Sequence, residues 1–156
     1  MSRGWAIVLT QVLLLLIGCR QADRQPAVVL EADIAAIVEV REALEGTHND
    51  GDVEAFLVHC TDGMVTIRPG APAIVGRDQM RRALQLHLEF DRPTETFRSG
   101  EIAVAGEWAF DTGTSVEAIR LPGRPAVEIH YNYVMIFQRQ PDSSWKVARH
   151  IWNRSS

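Results

Sequence analysis

The chain has 156 residues, of which 46% are hydrophobic and 23% charged, a composition typical of one globular domain and unlike that of a disordered chain. Its formal net charge is −4 at pH 7, and the acidic and basic residues are scattered along the sequence. Because nucleic-acid-binding domains concentrate lysine and arginine on one face or in one block, we expect no nucleic-acid partner.

The first 18 residues have the pattern of an export signal. Arg3 provides a positive start, and an apolar run follows over residues 6–17, interrupted only by Thr10 and Gln11. This run is too short to cross a bilayer as a helix, and no later apolar stretch approaches the ~20 residues that a crossing needs. The sequence therefore predicts a cleaved signal over residues 1–18.

The apolar run ends in Leu16-Ile17-Gly18-Cys19, which resembles the lipobox of bacterial lipoproteins. The resemblance implies that Cys19 becomes the first mature residue and carries acyl chains, which anchor a protein stably when two or three are present. We expect a membrane-anchored lipoprotein on the extracytoplasmic side, either periplasmic or on the cell surface. The alternative is an uncleaved anchor with an incidental cysteine.

The string Arg-Gln-Ala-Asp-Arg-Gln-Pro after Cys19 is polar, and we predict a short tether over residues 19–30 and one domain over residues 31–156. This domain begins with helices. Apolar residues recur at helical spacing over 31–48, and Asn49-Asp50-Gly51 should end that helix. Asp52 is then well placed to cap a short second helix.

Strands dominate the rest of the domain. Residues 63–68 predict a first strand, and a third helix should begin after Asp78. Beyond it, turn signals separate four predicted strands, over residues 96–104, 107–118, 126–138 and 145–152. Helices grouped first and hairpin strands grouped last indicate an α+β fold, in which helices pack on a strongly curved antiparallel sheet and form a cone with a central pocket.

Four strings in this order resemble the nuclear transport factor 2-like superfamily, which includes SnoaL-like cyclases and ketosteroid isomerases. They are Asn49-Asp50-Gly51-Asp52, Ile74-Val75-Gly76-Arg77, Gly106-Glu107-Trp108-Ala109 and the final stretch over 145–153. The last string is similar to a small bacterial branch, and the resemblance spans about residues 30 to 154. The superfamily contains isomerases, cyclases, dehydratases, hydrolases and binding modules, so the fold alone does not choose a function.

Ketosteroid-isomerase chemistry requires a carboxylate base, a tyrosine and a protonated carboxylic acid. The resemblance implies that the base would stand at the position of Arg68, the tyrosine near Leu44 and the carboxylic acid near Asn132. None of the three chemical parts is present, so we do not expect that mechanism here.

The last hairpin predicts which residues line the pocket. Strand alternation places six residues on one face, and the resemblance implies that this face is the concave one. The six are Asn132, Val134, Ile136, Arg149, Ile151 and Asn153. Arg68 should approach from the first strand. Arg149 would then receive an anionic ligand, or else both arginines form structural ion pairs.

The opposite face of this hairpin carries aromatic and apolar side chains, and an exposed patch of this kind usually marks an interface. We therefore expect a homodimer through this face. Its residues are Tyr131, Tyr133, Met135, Phe137, His150 and Trp152.

Few residues suggest catalysis. Asp111 would be a general base if it points inward, or a solvated residue if it points outward. The histidines and Cys60 lack the spacing of a metal-ligand motif, so we expect no metal and no cofactor. Cys60 fits a small buried apolar residue.

The leading hypothesis is a domain that binds a small organic molecule, anionic or aromatic, in the pocket. The first alternative is an isomerase, cyclase or dehydratase, which requires a titratable residue of shifted pKa inside the pocket. The second is a protein-interaction module, which requires only the aromatic face and predicts a pocket too small for a ligand.

Overall fold

The computed structural model describes residues 27–90, 93–120 and 123–155. The predicted signal peptide, Cys19 and most of the predicted tether lie outside the described residues. No helix within the described ranges is both long and apolar enough to span a bilayer.

Three helices precede or interrupt the first strands. Helix α1 (Ala27–Asp50) begins inside the segment predicted as a tether and ends where expected, at Gly51, whose φ of 74° is the left-handed conformation that glycine favours. Helix α2 (Val53–Val58) is capped as predicted, because Asp52 Oδ1 accepts a hydrogen bond from Ala55 N at 3.0 Å. Helix α3 (Arg77–Phe90) lies between the first and the second group of strands.

Six strands form one sheet. They are β1 (Cys60–Ile67), β2 (Ile74–Val75), β3 (Thr94–Ala105), β4 (Trp108–Ile119), β5 (Val127–Arg139) and β6 (Trp145–Arg154). Their order is β2-β1-β6-β5-β4-β3. The hairpins from β3 to β6 are antiparallel as predicted, but β1 pairs with β6 in parallel, so the curved sheet is mixed. β1 and β6 are far apart in sequence and are not joined by a tight hairpin, so the connection allows them to pair in parallel.

The predicted register of the last hairpin is confirmed over most of its length, with Ile136 opposite Arg149 and Val134 opposite Ile151. Nearer the turn, the register shifts by one residue at a β-bulge beside Ala148, so Phe137 faces Val147. The extra residue reverses the alternation along β6. For this reason Val147 and His150 lie on the same side of the sheet.

The core lies between the helices and the face of β5 that we expected to be exposed. Tyr133, Met135 and Phe137 are no more than 2% exposed in the single chain, so they form no dimer surface. Both faces of this hairpin are apolar, and alternation by itself does not say which one the helices cover. The face with the larger aromatic side chains gains more from burial, and it is the inner face here.

Candidate functional site

A cavity of about 510 Å³ lies between the three helices and the inner face of the sheet. Its wall is mostly apolar and includes Leu44, Phe56, Met64, Met80, Met135 and Trp152. This volume is within the usual range for sites that hold a small organic molecule. The cavity therefore does not fit the interaction-module hypothesis, which requires a pocket too small for a ligand.

The predicted pocket residues are mostly on the wrong side of the sheet. Asn132 and Asn153 are exposed, and Val134, Ile136 and Ile151 share their outer face. Of the predicted set, Arg68 alone lines the cavity. All six hairpin residues of the set share one face of the sheet. Because the helices cover the opposite face, all six lie outside the cavity.

Arg149 shares this outward position and does not contact the cavity. Its Nη1 donates to the backbone oxygen of Ala148 at 2.6 Å and to that of Gly63 at 3.4 Å. The guanidinium thus binds backbone at the bulge between β1 and β6. The predicted role of Arg149 as the anion receptor of the pocket is wrong.

Asp111 points inward, the orientation that the general-base hypothesis requires, but it does not line the cavity. It is fully buried, and its carboxylate accepts hydrogen bonds from Arg41 Nη1 at 3.1 Å, Ser99 Oγ at 2.6 Å and Tyr133 Oη at 3.2 Å. Three donors hold this carboxylate between α1 and the sheet. Its surroundings are those of a structural ion pair.

Two other carboxyl groups do face the cavity. Glu95 on β3 and Glu117 on β4 are directly opposite each other in the antiparallel ladder and both line the cavity. Directly opposed side chains on one face have Cβ atoms about 5 Å apart, so two ionised carboxylates would repel each other strongly. Burial raises the pKa of Glu95 to about 7, and the charge of Glu117 acts in the same direction.

Glu117 is stabilised in its ionised form by two donors. His87 Nε2 lies 3.0 Å from its Oε1, and Tyr131 Oη donates to its Oε2 at 3.1 Å. The hydrogen bond from His87 lowers the pKa of Glu117, whereas burial raises the pKa of Tyr131. The cavity therefore holds a carboxyl group that titrates near neutral pH, Glu95, beside a carboxylate that stays ionised there, Glu117.

The end of α1 fixes the position of Glu95. Asn49 Nδ2 donates to the Glu95 carbonyl oxygen at 2.8 Å, and the Glu95 backbone N–H donates to Asn49 Oδ1 at 2.7 Å. Two residues further along β3, the backbone N–H of Phe97 donates to Glu45 Oε2 at 2.8 Å. These three bonds attach the start of β3 to the last turns of the helix.

Two more histidines line the cavity, and both are held neutral. Burial lowers the pKa of His150 to about 4 and also lowers the pKa of His48. The His150 ring packs against Phe97 and Trp152, with ring centroids 5.9 and 4.7 Å away. Its Nε2 atom is buried and has no hydrogen-bond partner among the described residues.

The sequence did not predict Glu95, Glu117 and His87 as a group. Glu95 and Glu117 are far apart in sequence, and only strand pairing brings them together. Both glutamates lie within strands, and a carboxylate on the inner face of a sheet is rare without a role. In the described part of the chain, no three His, Cys, Asp or Glu side chains are grouped as for a metal ion.

No protein-family model and no curated protein matches this sequence. Solved structures do match it. A ketosteroid isomerase-like protein from Erwinia carotovora atroseptica is 22% identical, with a TM-score of 0.67 over 80% of this chain and 97% of that one. A protein from Streptomyces avermitilis, described provisionally as a dehydratase of the NTF2-like family, is 19% identical, with a TM-score of 0.71 over 81% and 99%.

A third structure covers more of the chain. An NTF2-like protein with a cystatin-like fold from Novosphingobium aromaticivorans is 17% identical, with a TM-score of 0.69 over 97% of this chain and 90% of that one. At these identities the matches concern the fold and not the activity. Together with the helices packed on a curved six-stranded sheet, they show that this chain has the nuclear transport factor 2-like fold that the sequence resemblance implied.

Proposed function

We propose that the domain binds a small, mainly apolar organic molecule in the cavity and catalyses proton transfer on it, as isomerases and dehydratases do. The observation that carries the proposal is the opposed pair Glu95 and Glu117 on the cavity wall. Two carboxyl groups whose surroundings drive their pKa values apart are the usual basis of an acid and a base in one site.

The roles follow from the protonation states. The protonated carboxyl of Glu95 donates its proton to a carbonyl or leaving hydroxyl oxygen of the substrate. The carboxylate of Glu117, whose Oε1 lies 3.0 Å from His87 Nε2, accepts a proton from the neighbouring carbon. Exchange between the two sites or with water returns each proton to its starting place. The apolar wall excludes water and strengthens both interactions.

The enzyme hypothesis is favoured over the binding-module hypothesis because Glu95 and Glu117, two titratable groups of shifted pKa, are on the cavity wall. A panel of cyclic ketones and β-hydroxy ketones in D₂O tests it by NMR. We expect deuterium to enter next to the carbonyl, or water to be lost, for at least one member of the panel.

Glu95→Gln and Glu117→Gln should each lower that rate at least 100-fold, in line with the loss of general acid–base catalysis. Glu101→Gln, at an exposed position of the same strand as Glu95, is the matched control and should retain the rate. If compounds bind to the wild type and to both variants but none exchanges hydrogen for deuterium or loses water, the domain is a binding module and not an enzyme.

We further propose that the chain is a lipoprotein exported and anchored through Cys19. This proposal is supported by the apolar run over residues 6–17 and the lipobox-like Leu16-Ile17-Gly18-Cys19. Anchoring would place the cavity on the extracytoplasmic side, with substrates that reach that compartment.

We also propose that two copies pair through the outer face of the sheet. Trp108 and Phe110 are 45% and 39% exposed there, and Phe110 lies opposite Ile136. An exposed apolar patch on one face suits the contact of a two-fold dimer. Phe110→Glu combined with Ile136→Glu should give monomers in sedimentation, whereas Leu86→Glu, at an exposed leucine of α3, should not. Unchanged dimers in the double variant would assign the contact to another surface.

A further inference from the structure

Two arginines lie at one end of the cavity. Arg68 directly follows β1, and Arg154 is the last residue of β6. Because β1 and β6 are parallel neighbours, their carboxyl ends lie at the same edge of the sheet. Both residues line the cavity, and both are exposed. Two guanidinium groups therefore stand where the cavity meets solvent.

Within the described ranges, Arg68 and Arg154 form no ion pair with a carboxylate. The positive charge of Arg154 acts to lower the pKa of the Tyr131 hydroxyl, which donates to Glu117 Oε2 at 3.1 Å. The protein has a formal net charge of −4, yet it presents two positive groups at this entrance that no carboxylate of the described residues pairs, and guanidinium pairs bind carboxylates well.

Further inside, His150 lines the cavity and carries a polar group without a partner among the described residues. It precedes Arg154 by four residues on the same face of β6, which places their Cα atoms about 13 Å apart along the strand. Its Nε2 atom is buried and lacks a partner among the described residues. An unsatisfied buried nitrogen is costly, and a ligand hydroxyl, which both donates and accepts, satisfies it in either tautomer.

The space between these two polar ends is bounded by flat or flexible apolar groups. The Trp152 ring packs against the His150 ring at an interplanar angle of 43°, and Met64 and Met135 line the adjoining wall. Thioethers adapt to ring systems and make favourable contacts with aromatic edges. A planar ring system fits this wall better than a flexible chain, which would lose more conformational entropy on binding.

We infer that the ligand is a ring-containing hydroxy acid, with its carboxylate bound by Arg68 and Arg154 and its hydroxyl bound by His150 Nε2. The inference rests on the proposed function in one respect, since it names the class of molecule for the same cavity. It needs no catalysis, and inert compounds can test it.

The probe is 6-hydroxy-2-naphthoate, and its two controls are the methyl ester, which removes the charge, and 2-naphthoate, which removes the hydroxyl. Calorimetric titration gives the three dissociation constants. We expect the hydroxy acid to bind at least tenfold more tightly than its ester and about fivefold more tightly than 2-naphthoate, as for charged and neutral hydrogen bonds.

Three variants assign each difference to a residue. Arg68→Met should remove most of the preference for the acid over the ester and keep the preference for the hydroxyl. His150→Phe should do the reverse, because it fills the same space without the nitrogen. Arg82→Met, at an exposed arginine of α3 outside the cavity wall, is the matched control and should change neither preference.

Equal binding of acid and ester to the wild type, or binding of none of the three compounds, would overturn the inference. An Arg68→Met protein that keeps the full preference for the acid would do the same. None of these results would contradict the proton-transfer proposal, because deuterium exchange on neutral ketones does not depend on an anionic group. Conversely, the expected affinities with no exchange on any ketone would retain the ligand class and reject the enzyme.

Discussion

The side-chain amide of Asn49 forms a two-bond contact with the backbone of Glu95, donating at 2.8 Å and accepting at 2.7 Å. The same asparagine belongs to the turn that ends α1, so one residue both stops the helix and holds the first cavity carboxyl in place. Helix termination and site geometry are therefore coupled through a single side chain.

Replacement of this asparagine tests the coupling. Asn49→Ala should lower the free energy of unfolding by about 1 kcal/mol, since it removes two hydrogen bonds at a partly solvated position. It should also shift the pKa of Glu95 toward its ordinary value, which ¹³C NMR of the carboxyl measures. Asn132→Ala, at an exposed position of β5, is the control. A Glu95 titration identical to that of the wild type would show that β3 needs no such support.

The raised pKa of Glu95 predicts a pH dependence of stability. In the folded protein its carboxyl keeps a proton up to about pH 7, whereas the ordinary value is 4.5. Between these values the folded state binds more protons than the unfolded state, so the contribution of Glu95 to the free energy of unfolding falls as pH rises. The total fall is about 3 kcal/mol.

Urea denaturation of Glu95→Gln checks this sign. Glutamine resembles the protonated acid and does not titrate, so the variant should gain stability relative to wild type as pH rises from 4.5 to 8. The opposite dependence of His150, whose lowered pKa favours the fold as pH rises from about 4 to 6.5, is present in both proteins and cancels in the difference. Glu101→Gln should give a difference without this trend. A constant difference for Glu95→Gln would mean that the carboxyl is solvated.

Gly113 lies in β4 where the strand passes close to β3, and a Cβ atom there would collide with the carbonyl oxygen of Arg98. The obstacle is backbone beside a β-bulge, so it cannot rotate away. Gly113→Ala should therefore cost about 3 kcal/mol in chemical denaturation, as overpacking does. Gly63→Ala in β1, where a Cβ atom would meet nothing within 4 Å, should cost much less. Equal losses for the two variants would contradict the close approach.

Asp33 near the start of α1 is bound by Arg139, whose two Nη atoms donate at 2.7 and 2.6 Å, and by Trp145 Nε1 at 3.2 Å. The carboxylate side chain is 8% exposed, and removing it leaves the partly buried guanidinium of Arg139 with only the Glu107 carboxylate, 4.0 Å from its Nε. Asp33→Ala should cost about 3 kcal/mol in unfolding free energy. Arg81→Met breaks the exposed contact with Glu54 and should have a much smaller effect. Comparable losses would show that the first helix is not anchored by this pair.

The lipoprotein proposal predicts the mass of the chain in a membrane fraction. It should exceed that of the polypeptide beginning at Cys19 by the mass of the acyl groups, and Cys19→Ser should release the protein from the membrane. Cys60→Ser serves as the control, because Cys60 is buried and its thiol pKa is raised to about 12 by burial. A Cys19→Ser chain that is still processed and membrane-bound would contradict lipidation.

Local features of the sequence determined much of the fold. Gly51 and Asp52 ended one helix and capped the next because their preferences act within a few residues of the chain. The strand register between Val134 and Ile151 followed from the hairpin, and the bulge beside Ala148 shifted only the part nearest the turn. The order of helices and strands also agreed with the resemblance to a known fold.

Tertiary structure alone decided which face of the sheet is buried, and with it the site. Strand alternation assigns the residues of β5 to two faces, but both faces are apolar, so alternation does not say which one the helices cover. In the structure the helices cover Tyr133 and Phe137, and Arg149 therefore lies outside the cavity. Glu95 and Glu117 meet only through the pairing of β3 with β4, and the partners of Asp111 come from α1, β3 and β5. Contacts between residues distant in sequence depend on packing of whole elements, and no local pattern encodes them.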